Sequence, residues 1–157
     1  MPARVRFGPV PEVVFVCYGN ICRSPMAEAL LRRALDERLG PGHDWTVTSA
    51  GVGATDGTVA SRGTKDVMAV RGLDVRRHRA RFLTPAMARA ADRIVCMEPV
   101  QVTAIRAMVS DPDRVSLLGE GVPDPIGAGP ELYESTAALI EREIEFLADE
   151  IANGDRR

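Results

Sequence analysis

The chain has little lysine, few aromatic residues and only three cysteines. Aromatic residues make up 4% of its 157 residues, and one lysine accompanies 19 arginines. An odd number of cysteines argues against a secreted disulfide framework and favours a reducing, cytoplasmic location. No apolar run approaches the ~20 residues that span a bilayer. Residues 1–12 also lack the long apolar core of a signal peptide. The sequence therefore indicates no membrane partner.

The charge balance gives no electrostatic reason to expect nucleic acid as a partner. Lysine and arginine total 20, aspartate and glutamate total 22, and the net charge is −2. With 45% hydrophobic residues, the composition is that of an ordinary globular protein of one domain. We expect a flexible leader over residues 1–11, a single domain over 12–152 and a short tail over 153–157.

Short apolar runs alternate with segments of helical periodicity along the whole domain. The strands are predicted over residues 12–17, 45–49, 92–97 and 114–118. The helices are predicted over 25–39, 59–71, a short segment after Thr84-Pro85, 99–109 and 131–152. In the second of these helices we expect Val67, Met68 and Val70 to point inward. The alternation predicts a parallel α/β sheet, which binds ligands at the carboxyl ends of its strands.

The segment from Cys17 to Arg23 lies between the first strand and the first helix. The backbone N–H groups of such a loop converge with the positive end of the helix dipole, and together they bind a dianion. A thiolate at Cys17 is stabilised in that position and makes a good nucleophile. The guanidinium of Arg23 can grip two phosphoryl oxygens through a transition state. This loop is the candidate catalytic centre.

The other residues of the loop suit the same purpose. Gly19 allows the chain to turn, and Asn20 tolerates a left-handed conformation while its amide braces the loop. We expect Ser24 to cap the helix and stabilise the thiolate, and Pro25 to occupy the first helical position. The predicted phosphate-binding loop comprises Tyr18, Gly19, Asn20, Ile21, Cys22 and Arg23.

Asp124 is the candidate general acid, because displacement of an oxygen leaving group from phosphorus needs a proton donor. It lies with Pro125 in a Gly- and Pro-rich loop after the fourth strand, and it would later act as the base that activates water. An Asp-Pro pair is also typical of a plain turn. Ser49 either braces Asn20 or simply ends a strand.

The remaining cysteines and histidines leave alternatives open. Cys22 could trap an oxidised Cys17 as a disulfide, or it could be a small packed hydrophobe. Cys96 lies in a core strand and is expected to be inert, while His43 and His78 are expected on the surface or in loops. No Cys/His set has the spacing of metal ligands, so we expect neither metal nor cofactor.

The motifs V-C-x-G-N-x-C-R-S-P, S-A-G after the second strand and D-P near the C-terminus resemble the low-molecular-weight protein tyrosine phosphatases. The resemblance implies a doubly wound, four-stranded parallel sheet flanked by helices. It also implies hydrolysis of phosphotyrosine in protein substrates through a phosphocysteine, with inorganic phosphate or other oxyanions as inhibitors. The implied roles are Cys17 as nucleophile, Arg23 as transition-state clamp and Asp124 as general acid. The implied supporting residues are Asn20, Ser24, Ser49 and His78.

Two departures bear on the substrate. Ile126-Gly127 follows Asp124-Pro125 where tyrosine-specific members usually have two tyrosines, and residues 52–57 contain no aromatic residue. The patterns D-P-aromatic-G and S-A-G-V are typical of the protein-arginine phosphatase branch, which this chain resembles at Val52 and Gly127, whereas Ile21 is the residue typical of the tyrosine-specific branch. We hypothesise that Tyr18 faces the pocket mouth and supplies the missing aromatic wall. The alternative is that Tyr18 packs under a neighbouring loop.

Two other function classes share part of this pattern. Thioredoxin-linked arsenate reductases have the same loop, but they need a downstream pair of cysteines, and only Cys96 is present. A non-catalytic phosphate-binding module would not require Cys17, Arg23 and Asp124 together. Both are less favoured than a phosphatase.

Overall fold

The computed structural model describes residues 10–155, so residues 1–9 of the predicted leader and 156–157 of the predicted tail lie outside it. Its strands are β1 (Glu12–Cys17), β2 (Thr46–Gly51), β3 (Arg93–Cys96) and β4 (Val115–Leu117). They form one four-stranded sheet in the order β2-β1-β3-β4, and every neighbouring pair is parallel. The predicted architecture is confirmed.

Five α-helices connect and flank the described strands. They are α1 (Arg23–Leu39), α2 (Arg62–Val70), α3 (Pro85–Ala90), α4 (Pro99–Arg106) and α5 (Pro130–Asp155). Helix α1 begins at Arg23. Pro25 is therefore its third residue, whereas the sequence predicted Pro25 at the first helical position. Helix α2 begins later than predicted because Ser61 is its N-cap, with Oγ accepting from the backbone N–H of Thr64 at 3.3 Å. None of the helices in this part of the chain is long and apolar enough to cross a membrane.

Strand β1 is buried on both faces because helices cover both sides of the sheet. Val13, Phe15 and Cys17 join the core formed with α1, α2 and α5. Val14 and Val16 join the second core, formed with α3 and α4. A strand buried in this way has a continuous apolar sequence and not an alternating one.

Helix α2 shows one error of the sequence-based prediction. Val67 and Met68 are buried as expected, but Val70 is 81% exposed. Val70 lies about 200° round the helix axis from Met68, so the two side chains point in nearly opposite directions. The inward face of α2 is therefore narrower than predicted.

The segments that follow the four strands lie at the same edge of the sheet. Their carboxyl ends lead into the Cys17 loop, the segment after Gly51, the start of α4 at Glu98 and the loop that contains Asp124. Residues far apart in sequence can meet at this edge.

Candidate active site

The loop between β1 and α1 turns sharply around the thiol of Cys17. Asn20 has a φ of 55°, the one positive value of a non-glycine residue among residues 10–155, and its backbone N–H donates to Cys17 Sγ at 3.2 Å. The left-handed residue of the turn is Asn20, as predicted, and Gly19 does not have a positive φ. A Cβ at Gly19 would meet only Ile21 Cγ1, at 3.7 Å. The turn therefore depends on Asn20.

A closed hydrogen-bond network holds Asn20 in this conformation. Its Nδ2 donates to Ser24 Oγ at 2.8 Å and to Ser49 Oγ at 2.9 Å, while Oδ1 accepts from the backbone N–H of Arg81 at 2.9 Å. The backbone oxygen of Asn20 lies 2.6 Å from His78 Nε2, which must be the donor because a carbonyl only accepts. Asn20 is fully buried, so this network leaves its amide a single orientation.

Ser24 faces the thiol and not the helix end. Its Oγ lies 2.9 Å from Cys17 Sγ, and because this oxygen already accepts from Asn20, its hydrogen is free to point at a thiolate. The prediction that Ser24 caps α1 is wrong. The N-cap is Cys22, which makes no side-chain capping bond. Ser24 cannot cap the helix because it lies inside the first turn and its hydroxyl contacts Cys17.

Arg23 is almost completely buried, with one side of its guanidinium occupied and the other side available. Nη1 donates to Glu98 Oε1 at 2.6 Å and to the backbone oxygen of Val122 at 2.8 Å. Nη2 lies 3.5 Å from Asp124 Oδ2, and Nε has no hydrogen-bond partner among the described residues. A buried donor without a partner needs one from elsewhere. The Nε and Nη2 side of the fork can therefore bind an oxyanion.

Asp124 lies in the loop after β4 and lines a cavity together with Cys17 and Arg23. Its Oδ1 accepts from the backbone N–H of Ile126 at 3.1 Å, which is the turn contact typical of aspartate. Its Oδ2 is the oxygen near Arg23, and the side chain is 35% exposed. Asp124 can therefore form the turn through Oδ1 and still present Oδ2 to the cavity. Asp124 shares a cavity of about 320 Å³ with Cys17 and Arg23.

Tyr18 forms part of the wall at the mouth of this cavity. The side chain is exposed and its ring lies against Gly53, where an added Cβ would come within 2.5 Å of Cζ and 2.6 Å of Cε2. The backbone N–H of Gly53 donates to the carbonyl oxygen of Tyr18 at 2.9 Å. Ile21 and Ile126 also line the cavity. The ring is therefore held at the mouth, not covered by a loop.

Cys22 occupies a more enclosed position on the same loop. Its Sγ lies 3.3 Å from Ser61 Oγ and 3.4 Å from the Tyr133 hydroxyl, and it also lines the cavity. Burial raises the pKa of the Cys22 thiol above its ordinary value, despite these hydrogen bonds. Cys96 is fully buried in β3, and burial raises its pKa to about 12. Both thiols are therefore poor nucleophiles at neutral pH.

Sequence reasoning gave no role to three residues that shape the site. Glu98, the N-cap of α4, accepts a hydrogen bond from Arg23 Nη1. Gly51 approaches the loop so closely that a Cβ would lie 2.5 Å from the carbonyl oxygen of Tyr18. Glu28 Oε1 accepts from Ser49 Oγ at 2.8 Å. The S-A-G motif was the one available signal, because its glycine marks a close backbone approach.

The residues described include no group of three or more histidines, cysteines, aspartates or glutamates placed to hold a metal ion. His43 lies away from the loop, with Nε2 at 3.0 Å from Asp36 Oδ1.

Comparison with known proteins agrees with this geometry. The family model described as low molecular weight phosphotyrosine protein phosphatase matches residues 12–156. A probable low molecular weight protein-tyrosine-phosphatase, EpsP of Ralstonia solanacearum, is 39% identical over 141 residues, covering 87% of this chain and 92% of that protein.

Two solved structures show the same fold over nearly the whole domain. The tyrosine phosphatase Wzb from Escherichia coli K30, in complex with sulphate, has a TM-score of 0.81 at 30% identity, covering 89% of this chain and 97% of that one. The YwlE arginine phosphatase from Geobacillus stearothermophilus has a TM-score of 0.80 at 30% identity, covering 92% and 94%. Because the family model matches residues 12–156 and a relative of 39% identity is covered over 92% of its length, the chain belongs to the low-molecular-weight phosphotyrosine protein phosphatase family.

Proposed function

We propose that the protein hydrolyses phosphotyrosine in protein substrates through a phosphocysteine at Cys17. The observation that carries the proposal is the content of one cavity of about 320 Å³. It brings together a thiol in contact with the Ser24 hydroxyl and the Asn20 N–H, the Nε and Nη2 side of the Arg23 guanidinium, and the Asp124 carboxyl group. These are the nucleophile, the oxyanion clamp and the proton donor of phosphoryl transfer.

In the first step, the Cys17 thiolate attacks phosphorus and the bond to the phenolic oxygen breaks. The Ser24 hydroxyl and the Asn20 N–H stabilise the thiolate before the attack. Arg23 binds two of the phosphoryl oxygens through Nε and Nη2. Asp124 donates its proton to the departing phenolic oxygen, so that tyrosine leaves as a neutral hydroxyl.

In the second step, Asp124 acts as a base. It accepts a proton from water, the resulting hydroxide attacks the phosphorus of phospho-Cys17, and the P–S bond breaks to return the thiolate. The product, inorganic phosphate, fits the same donors as the substrate's phosphoryl group. Phosphate and similar oxyanions should therefore inhibit competitively, and the sulphate complex of the related Wzb supports this.

The cavity wall favours an aryl substrate. Tyr18, Ile21 and Ile126 give the mouth flat or apolar sides that suit a phenol ring. A phosphorylated guanidinium needs hydrogen-bond acceptors. Besides Asp124, the acceptors on the described side chains of the wall are the hydroxyl groups of Tyr18, Thr55 and Thr58 and the two cysteine sulfurs, so Asp124 is the one carboxylate available to such a substrate.

Protein-arginine phosphatase activity is the second candidate. It is supported by the structural similarity to the YwlE arginine phosphatase from Geobacillus stearothermophilus and by Ile126-Gly127 after Asp124-Pro125. An arsenate reductase relay is disfavoured because Cys96, the one downstream cysteine, is buried in the sheet. A non-catalytic module would not need Asp124 beside the thiol.

The experiment is phosphate release from two peptides of matched sequence, one with phosphotyrosine and one with phosphoarginine. We expect a higher kcat/KM for the phosphotyrosine peptide and no release by Cys17→Ser. A preference for phosphoarginine would transfer the assignment to the second candidate. Release by Cys17→Ser would contradict the phosphocysteine route. A redox role of Cys22 and a cytoplasmic location stay predictions.

A further inference from the structure

A second cavity, of about 340 Å³, lies beside the Asn20 network. It is bounded by α1, the end of β2 and the segment 74–81 that follows α2. Ser49, His78 and Arg81 line this cavity and also contact Asn20. The catalytic loop and this second cavity therefore share one hydrogen-bond network.

The second cavity carries an excess of positive charge. Segment 76–81 reads Arg-Arg-His-Arg-Ala-Arg in a chain of net charge −2. Two carboxylates line the cavity, and each has an arginine partner: Glu28 pairs with Arg32 at 3.2 Å, and Asp74 pairs with Arg76 at 2.9 Å. Each carboxylate therefore already has one arginine partner, although Asp74 is also close enough to Arg77 for that charge to help lower the pKa of Asp74.

Three further guanidinium groups line the cavity without an ion pair among residues 10–155: Arg77, Arg79 and Arg81. Arg79 and Arg81 donate only to backbone carbonyl oxygens, of Arg76 and His78 in the first case and of Ser49 in the second. Elsewhere in the described chain both patterns occur: Arg106 and Arg114 also donate to backbone carbonyl oxygens, whereas other arginines have carboxylate partners. Arg38, for example, contacts both Glu145 and Asp149.

We propose that this second cavity binds a small anion with at least two charges on phosphoryl oxygens. Three like charges around a concavity repel one another, and a dianion removes that repulsion while accepting bidentate hydrogen bonds from the guanidinium forks. The volume suits a diphosphate or a small phosphate ester and not a macromolecular segment. Occupancy is transmitted to the catalytic loop because the same segment supplies the Arg81 N–H and His78 contacts of Asn20.

Binding is tested by isothermal titration calorimetry with inorganic pyrophosphate, after Cys17 has been alkylated with iodoacetamide to block the catalytic loop. We expect one equivalent to bind. The double variant Arg77→Ala/Arg79→Ala should weaken binding at least about tenfold, since each fork contributes charge-assisted hydrogen bonds. The matched control Arg62→Ala/Arg142→Ala removes the same net charge from exposed helix positions and should change the Kd less than about twofold.

No binding to the alkylated protein would overturn the proposal. Equal weakening in both double variants would also overturn it, because it would show a response to net charge and not to a site. A parallel titration with glucose 6-phosphate distinguishes the two sources of the ligand. Tighter binding of the sugar phosphate identifies a phosphate ester, and tighter binding of pyrophosphate identifies an inorganic chain.

The connection to Asn20 needs a separate measurement on the unmodified enzyme. Pyrophosphate that binds only at the catalytic loop raises KM for an aryl phosphate and leaves kcat unchanged. Occupancy of the second cavity should instead change kcat, and Arg77→Ala/Arg79→Ala should abolish that change. An unchanged kcat at pyrophosphate concentrations that saturate the alkylated protein would refute the connection.

Discussion

The wall formed by Tyr18 can be tested without substituting Tyr18, through the glycine beneath its ring. In Gly53→Ala, the new Cβ would lie 2.5 Å from Cζ and 2.6 Å from Cε2 of Tyr18. The ring must retreat by about 1 Å to restore ordinary carbon–carbon contact. Gly53 does not have a positive φ, so the backbone itself accepts alanine and the displaced ring is the main consequence.

The size of the effect follows from what the ring contributes. An aromatic pair is worth about 0.5–1.5 kcal/mol beyond its buried area, which corresponds to roughly a 2- to 12-fold loss of kcat/KM. We expect this loss for a phosphotyrosine peptide in steady-state assays. Acetyl phosphate has no ring to stack on Tyr18, and its kcat/KM should change less than about twofold.

A double-mutant cycle separates the ring from other effects of the extra methyl group. In the Tyr18→Thr background there is no ring to displace, so Gly53→Ala should have almost no further effect on the phosphotyrosine peptide. An equal loss in both backgrounds would refute the idea that the wall acts through Tyr18. Unfolding in urea, compared for all four proteins, shows whether the fold has been kept.

Three further predictions concern the proton donor, the clamp and the buried thiol. Asp124→Asn should lower kcat for a phosphotyrosine peptide about 10²- to 10⁴-fold, and p-nitrophenyl phosphate, a better leaving group, should lose much less; equal losses would contradict a proton-donor role. Glu98→Gln should lower kcat/KM about two- to fivefold and weaken phosphate inhibition, because Arg23 loses a partially exposed charged partner. Unchanged inhibition would argue against the idea that Glu98 positions Arg23. Burial raises the pKa of Cys96 from 9.0 to about 12, so the thiol loses its proton at a lower pH in the unfolded chain than in the folded one. The free energy of unfolding should therefore fall above about pH 9, by up to about 1.4 kcal/mol per pH unit. Urea titrations at several pH values should give a flatter slope for Cys96→Ala, and an identical slope would show that another group titrates.

The parts of the site that lie within one loop were predictable because their chemistry is local. The apolar run of β1, the loop from Cys17 to Arg23 and the start of α1 are consecutive, so spacing alone brought thiol and guanidinium together. The sheet was predictable for a related reason, since alternating strands and helices admit few topologies. Asp124 was anticipated from the need for a proton donor and the D-P motif, and the rule that the carboxyl ends of parallel strands meet at one edge placed it near Cys17.

The partners of Arg23 could not be predicted because they depend on contacts between distant segments. Glu98 and Val122 lie 75 and 99 residues from Arg23 in sequence. Ser24 illustrates the opposite failure. Its local preference for a helix cap gave way to a tertiary contact, because its hydroxyl is used by Cys17. A capping preference worth about 1 kcal/mol does not decide where a buried hydroxyl beside a thiol points.

The two sides of the loop from Cys17 to Arg23 differ in how completely their polar groups are paired, and this difference explains how the candidate site can be both rigid and able to bind an anion. Behind the loop, both side-chain atoms and the carbonyl oxygen of Asn20 have partners, and Nη1 of Arg23 has two. In front of it, Nε of Arg23 has none among the described residues. A donor left unpaired inside a fully paired frame cannot reorient to satisfy itself, so it stays directed at the position that an oxyanion would fill. The frame behind the loop therefore supplies the preorganisation, and the unpaired edge supplies the binding.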